Sequence, residues 1–159
     1  MKKLRLYLDT SVISHLFAED TPDTMSDTLE FWEEIKTNKY DIILSDLTLE
    51  EIDECKEPKR TKMFEILAEI KYSLAYKNNN EVLFLANEII DKGILTSKSF
   101  DDAQHIGIAI HEQCNIIVSW NFKHLVRLKT IHGVRTITVS NNYQNIDIFS
   151  PQVILDKEI

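Results

Sequence analysis

Three acidic residues and one asparagine stand where the sequence predicts that a strand ends or a helix begins. Asp9 closes one apolar run, Asn121 follows another, and Glu51 and Asp102 stand near the starts of two predicted helices. Carboxylate and amide oxygens are the ligands that suit a hard divalent cation such as Mg²⁺ or Mn²⁺. Such a cation orients a water molecule, lowers its pKa and neutralises charge on a phosphodiester. The pattern therefore favours metal-dependent phosphodiester hydrolysis.

Each acid also has an explanation without chemistry. Asp9 precedes a short helix and fits its N-cap. Thr48 and Glu51, and likewise Ser99 and Asp102, have the spacing of a capping box, in which the first and fourth residues satisfy the helix start. On the sequence alone both explanations stay open. The chemical one depends on whether the acids meet in space.

Apolar runs alternate with amphipathic segments along most of the chain, which predicts strands alternating with helices. The predicted strands are 4–8, 41–45, 115–119 and one within 134–139, and the predicted helices begin near 12 and 48 or span 24–36, 60–72, 82–90, 99–113 and 122–128. This order is typical of a mostly parallel sheet with helices on both faces, the α/β class. Parallel strands end at the same edge of a sheet, so the topology is expected to bring Asp9, Glu51 and Asn121 together.

Composition indicates one ordered domain, 1–159, with a core at about 4–140 and a tail, 141–159, that covers a sheet edge or contacts a partner. The chain has 43% hydrophobic residues, three glycines and three prolines. The net charge of −8 argues against broad attraction to nucleic acid or to anionic membranes. Cys55 and Cys114 are far apart, and no apolar run approaches the length of a membrane span, so we expect a cytoplasmic protein without a membrane partner.

Four segments resemble the motifs of the PIN-domain family, in the family's order, and are most similar to VapC-type toxins. They are LDTSVI at 8–13, SDLTLEEI at 45–52, DAQHIGIA at 102–109 and VSWNFKHL at 118–125. The resemblance implies a three-layer α/β/α sandwich with a mostly parallel central sheet of four or five strands. It also implies an Mg²⁺- or Mn²⁺-dependent endoribonuclease that cleaves single-stranded RNA. Such proteins are often homodimers, and a cognate antitoxin of a type II toxin–antitoxin pair holds them inactive.

The resemblance assigns roles to individual residues. Asp9, Glu51 and Asp102 match the family's catalytic, metal-binding acids, and Glu51 matches better than Glu50 because an aliphatic residue follows it. Asn121 is the fourth catalytic position, where the family often has an aspartate, and a neutral side chain there favours one cation over two. Smaller roles in orienting the acids or the substrate fall to Thr10, Ser11, Asp101 and His124.

Basic residues near the motifs are candidates for holding RNA phosphates. These are Arg60, Lys123 and Arg127, for which a solvated helix face is the alternative. His105 lies three residues after Asp102 and is expected to be a partly buried or surface histidine without a ligand role. Trp120 is expected to pack in the interior.

Two other functions compete with the nuclease. The acidic charge and Asn121 favour a catalytically weak or inactive PIN-like interaction module. A small-molecule phosphatase or nucleotide-binding protein is disfavoured because the chain contains neither of the glycine-rich phosphate-binding motifs.

Overall fold

The structure, a computed structural model, describes residues 2–155 as an alternation of short strands and helices. The strands are β1 (Arg5–Leu8), β2 (Asp41–Ser45), β3 (Ser73–Ala75), β4 (Ile116–Val118) and β5 (Asp147–Phe149). The α-helices are α1 (Thr10–His15), α2 (Pro22–Lys36), α3 (Asp46–Asp53), α4 (Lys59–Leu67), α5 (Asn80–Asp91), α6 (Phe100–His111), α7 (Leu128–Ser140) and α8 (Pro151–Ile154). One turn of 3₁₀ helix, Ser97–Ser99, leads into α6.

All five strands are parallel and form one sheet in the order β3-β2-β1-β4-β5. The central strand β1 pairs with β2 through Leu6 and Ile42, and with β4 through Leu6 and Ile116. The chain therefore leaves β1 in one direction to build β2 and β3, and later returns to its other side with β4 and β5. This confirms the expected parallel α/β sheet.

Side chains of the strands alternate between two separate apolar clusters, one on each face of the sheet. Tyr7, Ile43 and Ile117 point to the face that α5, α6 and α7 cover. Leu8 and Leu44 point to the other face, which α1, α2 and α4 cover. Because both faces are buried, the strands read as continuous apolar runs, and the molecule has the three layers that the resemblance implies.

Helix α6, which carries two of the site residues, packs closely on α5 at Gly107. A Cβ atom at Gly107 would lie 2.9 Å from the backbone oxygen of Val82. Real Cβ contacts are longer than this, so a glycine is what lets the two helices approach. The close contact fixes α6, and with it the site residues, against the sheet.

The strand expected within 134–139 is wrong, because these residues belong to α7. The β-branched alternation in this segment favours a strand, but Thr130, Val134 and Ile137 are the buried positions, at helical spacing. Packing therefore overrides the local preference. Gly133 allows the fit, since a Cβ atom there would lie 2.5 Å from a side-chain carbon of Ile94.

The short helix expected at 122–128 is also wrong, because residues 122–125 form turns, residues 126 and 127 form a bend, and α7 begins only at Leu128. The backbone oxygen of Asn121 accepts from the N–H groups of both Leu125 and Val126, at 3.0 and 2.9 Å. This pair of hydrogen bonds to one oxygen closes a single turn, and the pattern does not continue as a helix.

The sequence gives no indication of the two edge strands. Helix α4 ends at Leu67, earlier than expected, and β3 follows it, while β5 forms within the tail. Each has three residues, too few for a periodic pattern. Through β5 the tail extends the sheet beside β4, and its residues 156–159 lie outside the described part. Among the described residues, no helix combines the length and the apolar character needed to cross a membrane.

Candidate active site

The candidate site lies at the carboxyl edge of the sheet, between β1 and β4. In open parallel sheets, ligands bind where the strand order reverses, and here that point is the gap between these two strands. Asp9 follows β1 directly and Ser119 follows β4 directly. The N–H of Asp9 still donates to the oxygen of Val118, at 3.3 Å, so the ladder carries the carboxylate to the end of both strands.

Asp9 is buried, with 4% exposure, and both of its carboxylate oxygens accept hydrogen bonds. Oδ1 accepts from the backbone N–H of Ser11 at 3.1 Å and from the Ser11 hydroxyl at 2.5 Å. Oδ2 accepts from the hydroxyl of Ser119 at 2.6 Å. Asp9 is therefore the N-cap of α1, as one of the two explanations requires, and it also reaches across to the end of β4.

Burial raises the pKa of the Asp9 carboxyl above its ordinary value. The charge of His105 and the hydrogen bonds from Ser11 and Ser119 lower it, while the charge of Asp102 raises it further. The lowering interactions offset only part of the cost of burial. A carboxylate in this state is stabilised by any positive charge brought beside it.

Glu51 is not a helix cap. Helix α3 begins at Asp46, and its N-cap is Ser45, whose hydroxyl accepts from the N–H of Thr48 at 3.2 Å. Glu51 lies in the second turn, and its Oε1 accepts from the Thr10 hydroxyl and from Nε2 of His105, both at 2.6 Å.

Burial acts to raise the pKa of Glu51, but the hydrogen bond and charge of His105 and the bond from Thr10 prevail and hold it below its ordinary value. The carboxylate of Glu51 is therefore ionised at neutral pH, as a metal ligand must be.

His105 stands among the three acids. It is buried, with 2% exposure, rather than at the surface or partly buried as the sequence indicated. Its Nδ1 lies 2.5 Å from the hydroxyl of Tyr7. Burial acts to lower the pKa of the imidazole, but the hydrogen bond that it donates to Glu51 and the charges of Glu51, Asp9 and Asp102 raise it above its ordinary value. Glu51 is thus bonded to the ring, and the charges of Asp9 and Asp102 also act on it.

Asp102 reaches the fourth motif through His124. Its Oδ2 lies 2.9 Å from Nδ1 of His124. The N–H of His124 donates to the side-chain oxygen of Asn121 at 2.9 Å, and the N–H of Asn121 donates to the Ser119 hydroxyl at 2.9 Å. A continuous path of hydrogen bonds therefore joins Asp102 to Asp9. The Ser99 side chain makes no capping bond, so the capping explanation fails for Asp102 as well.

The residues expected to orient the acids are partly in place. Thr10 bonds Glu51, and the Ser11 hydroxyl bonds Asp9 and also accepts from the N–H of Trp120 at 2.8 Å. His124 bonds Asp102. Asp101 points outward and is exposed.

The three basic candidates have different surroundings. Lys123 is exposed, and within residues 2–155 it forms no ion pair. The guanidinium of Arg60 pairs with Asp53 and lies over the ring of Phe64. Arg127 is half-buried, and it donates to the hydroxyl of Thr130 and to the backbone oxygen of Ile94. Of the three, Lys123 is the one whose charge is free for a phosphate.

Sequence reasoning missed Ser119 and undervalued His105. Ser119 bonds Asp9 over a separation of 110 residues, and His105 bonds Glu51 over 54. Only the position of Ser119 at the end of a predicted strand, and of His105 one helical turn from Asp102, could have indicated them.

The donor chemistry of the site fits a hard divalent cation, although the acids are not assembled around one point. Within residues 2–155, no three His, Cys, Asp or Glu side chains form a ready-made metal cluster. The fit rests on the oxygen atoms themselves: Glu51 bonds His105, the charges of Asp9 and Asp102 act on the same ring, and Oε2 of Glu51 receives no hydrogen bond from the described residues.

Comparison with solved structures decides the fold. One matching chain comes from the crystal structure of VapBC2 from Rickettsia felis bound to a DNA fragment from their promoter, with 16% identity, a TM-score of 0.57, and coverage of 92% of this chain and 98% of that one. The chain has a VapC-like PIN-domain fold. A second match, to DNA-bound VapBC from Salmonella typhimurium, has 14% identity, a TM-score of 0.56, and coverage of 93% and 98%.

No family model and no curated protein matches the sequence. The VapC-like fold is therefore shared with chains whose residues are mostly different. What the site of this chain does must be argued from its own side chains.

Proposed function

We propose that this protein is a metal-dependent endoribonuclease that cleaves phosphodiester bonds of single-stranded RNA. One observation supports it above all: Thr10, next to Asp9, and His105 both bond Glu51, and the charges of Asp9 and Asp102 act on the same His105 ring. Like charges collected in a buried place repel one another unless a cation or a proton is held among them. Neither Glu51 nor Asp102 is a helix cap.

In this proposal Asp9, Glu51 and Asp102 hold Mg²⁺ or Mn²⁺. When bound, the cation supplies positive charge to the phosphodiester and lowers the pKa of a water molecule. The hydroxyl groups of Ser11 and Ser119 fix the Asp9 carboxylate, because each donates a hydrogen bond to one of its two oxygens.

On the other side of the site, His124 and Asn121 hold Asp102. Lys123, between them in sequence and exposed, is placed to attract the RNA backbone.

We further propose that the protein is the toxin of a type II pair, with a cognate antitoxin as its partner and a homodimer as its working form. The fold matches chains from two VapBC complexes, which supports the antitoxin. Co-purification with the product of the neighbouring gene tests the partner, and light scattering of the purified protein tests the dimer.

Cleavage of labelled single-stranded RNA tests the activity. The wild-type protein is assayed with Mg²⁺ or Mn²⁺, with and without EDTA, beside Asp9→Asn and the matched control Asp91→Asn, which removes an exposed acid at the end of α5. We expect cleavage by wild type and control, none with EDTA, and none by Asp9→Asn. Equal activity of all three proteins rejects the proposal.

A non-catalytic interaction module is the second candidate. It is favoured by the neutral Asn121, whose side-chain oxygen is already occupied by the N–H of His124, and by the lack of a ready-made cluster in the described residues. Calorimetric titration distinguishes the two: no heat of binding at millimolar Mn²⁺ supports the module, and saturable binding supports the nuclease.

A further inference from the structure

A buried chain of hydrogen bonds connects the interior of the sheet to Glu51. Ser45 at the end of β2 lies 2.7 Å from the hydroxyl of Tyr7, and that hydroxyl lies 2.5 Å from Nδ1 of His105. Nε2 of His105 lies 2.6 Å from Oε1 of Glu51. Ser45 and Tyr7 are fully buried and His105 nearly so, so the bonds among these three residues are shielded from water.

The imidazole of His105 is held at both ring nitrogens. An ionised Glu51 only accepts, so Nε2 of His105 carries the hydrogen of that bond. On the other side of the ring, Nδ1 and the Tyr7 hydroxyl share a hydrogen bond at 2.5 Å, and the Tyr7 and Ser45 hydroxyls share the next one at 2.7 Å. Two bonds on opposite sides of the ring fix its orientation beside Glu51.

The chain of bonds has an asymmetric effect on Glu51. Its Oε1 is held between the Thr10 hydroxyl and His105, both at 2.6 Å, while Oε2 receives no hydrogen bond from the described residues. The side chain is 29% exposed, so the core does not enclose it completely. A long, flexible acid is thereby fixed by one oxygen with the other left free.

We propose that Tyr7 and His105 are positioning residues that hold Glu51 ready to ligate the divalent cation through its free oxygen. This inference rests on the proposed function. Neither residue touches the cation or the RNA. Their hydrogen bonds restrict the rotamers of Glu51 before the cation binds, so less conformational entropy is lost on binding. Outer hydrogen-bond partners of metal ligands act in this way.

The test is calorimetric Mn²⁺ binding without RNA, together with kcat and KM for a labelled RNA. The variants are Tyr7→Phe, which removes only the hydroxyl, His105→Leu, and His105→Gln, whose amide keeps a donor for Glu51. Tyr40→Phe is the matched control, because Tyr40 is also a buried tyrosine bonded to a glutamate, Glu34, at 3.2 Å.

We expect Tyr7→Phe to weaken Mn²⁺ binding and lower kcat by about tenfold, and His105→Leu by up to about 100-fold, with KM for RNA nearly unchanged. His105→Gln is expected to restore most of the Mn²⁺ affinity, and Tyr40→Phe to bind as wild type does. A purely structural role predicts lower melting temperatures with unchanged Mn²⁺ affinity.

Two failures are distinguishable. If wild type binds Mn²⁺ and Tyr7→Phe binds it equally well, the positioning role is wrong while the nuclease proposal stands. If wild type neither binds Mn²⁺ nor cleaves RNA, the proposed function is wrong and this inference is overturned with it. Tyr7→Phe and His105→Gln preserve side-chain volume, so the test does not depend on the folding of His105→Leu.

Discussion

Replacing Ser119 by alanine tests how the carboxyl edge of the sheet is held together. The fully buried Ser119 hydroxyl donates to Asp9 at 2.6 Å and accepts from the N–H of Asn121 at 2.9 Å. Alanine removes both bonds and leaves Oδ2 of Asp9 without its only donor among the described residues. The perturbation is confined to one oxygen atom, since the methylene group stays.

The expected loss follows from the two bonds. A hydrogen bond to a charged group contributes about 1.5–3 kcal/mol, and an N–H left without a partner costs at least about 1 kcal/mol. We therefore expect Ser119→Ala to lower the free energy of unfolding by about 2.5–4 kcal/mol. For a chain of 159 residues this corresponds to a fall of about 5–15 °C in melting temperature.

Urea denaturation at pH 7, followed by circular dichroism, measures this loss as a lower midpoint with an unchanged m-value. Ser150→Ala is the matched control, because Ser150 is equally buried but its side chain forms no capping bond. A double-mutant cycle with Asp9→Asn then isolates the bond to the charge, and we expect Ser119→Ala to cost less in that background. The reasoning is refuted if Ser119→Ala and Ser150→Ala destabilise the protein equally.

Three further predictions concern charge and access. Burial raises the pKa of Asp9 in the folded state. The contribution of the protonated Asp9 carboxyl to the free energy of unfolding is therefore fully present below the unfolded-state pKa and is lost as pH rises through the folded-state pKa. The melting temperature of Asp9→Asn, relative to that of wild type, should accordingly increase as pH rises from 5 to 7.5. Burial also raises the pKa of the Cys114 thiol to about 12, so a disulfide reagent at pH 8 should modify Cys55 and spare Cys114 until the protein unfolds. Lys123→Ala should weaken RNA binding in EDTA and reduce the slope of log affinity against log salt by about 0.7, the value for one phosphate contact on a single strand.

A specific result would contradict each of these three predictions. A melting-temperature difference between Asp9→Asn and wild type that does not change with pH contradicts the buried-charge argument. Two rapidly reacting thiols in the native protein, or one in Cys55→Ser, contradict the burial of Cys114. Lys71→Ala is the control for Lys123→Ala, because Lys71 lines a groove at the amino edge of the sheet. Equal salt slopes for the two variants place the RNA elsewhere.

The elements that could be predicted from the sequence are those in which consecutive residues are buried and therefore apolar. The strands at 5–8, 41–45 and 116–118 are buried on both faces, so each is a continuous apolar run. The segment within α7 is also rich in β-branched residues but forms a helix, because its packing against α5 and Ile94 decides which side is buried. Local preference contains no information about that surface.

The residues of the site likewise fall into those that the sequence could predict and those that it could not. The parallel topology places Asp9, Glu51 and Asn121 at one edge, and this follows from the order of strands along the chain. The roles of Ser119 and His105 do not follow, since they depend on side chains from α6 and β4 meeting β1 and α3 at hydrogen-bond distance. A capping spacing at Thr48 and Glu51 was equally compatible with the sequence, and only the start of α3 at Asp46 excludes it.

Anomalous diffraction from a crystal soaked in Mn²⁺ tests the central claim most directly, because it locates the ion without reference to activity. The claim predicts one strong peak at the carboxyl edge of the sheet, about 2.1 Å from carboxylate oxygens of Asp9 and of Glu51 or Asp102. No peak at this edge at millimolar Mn²⁺, or a peak that Asp9 does not contact, contradicts it.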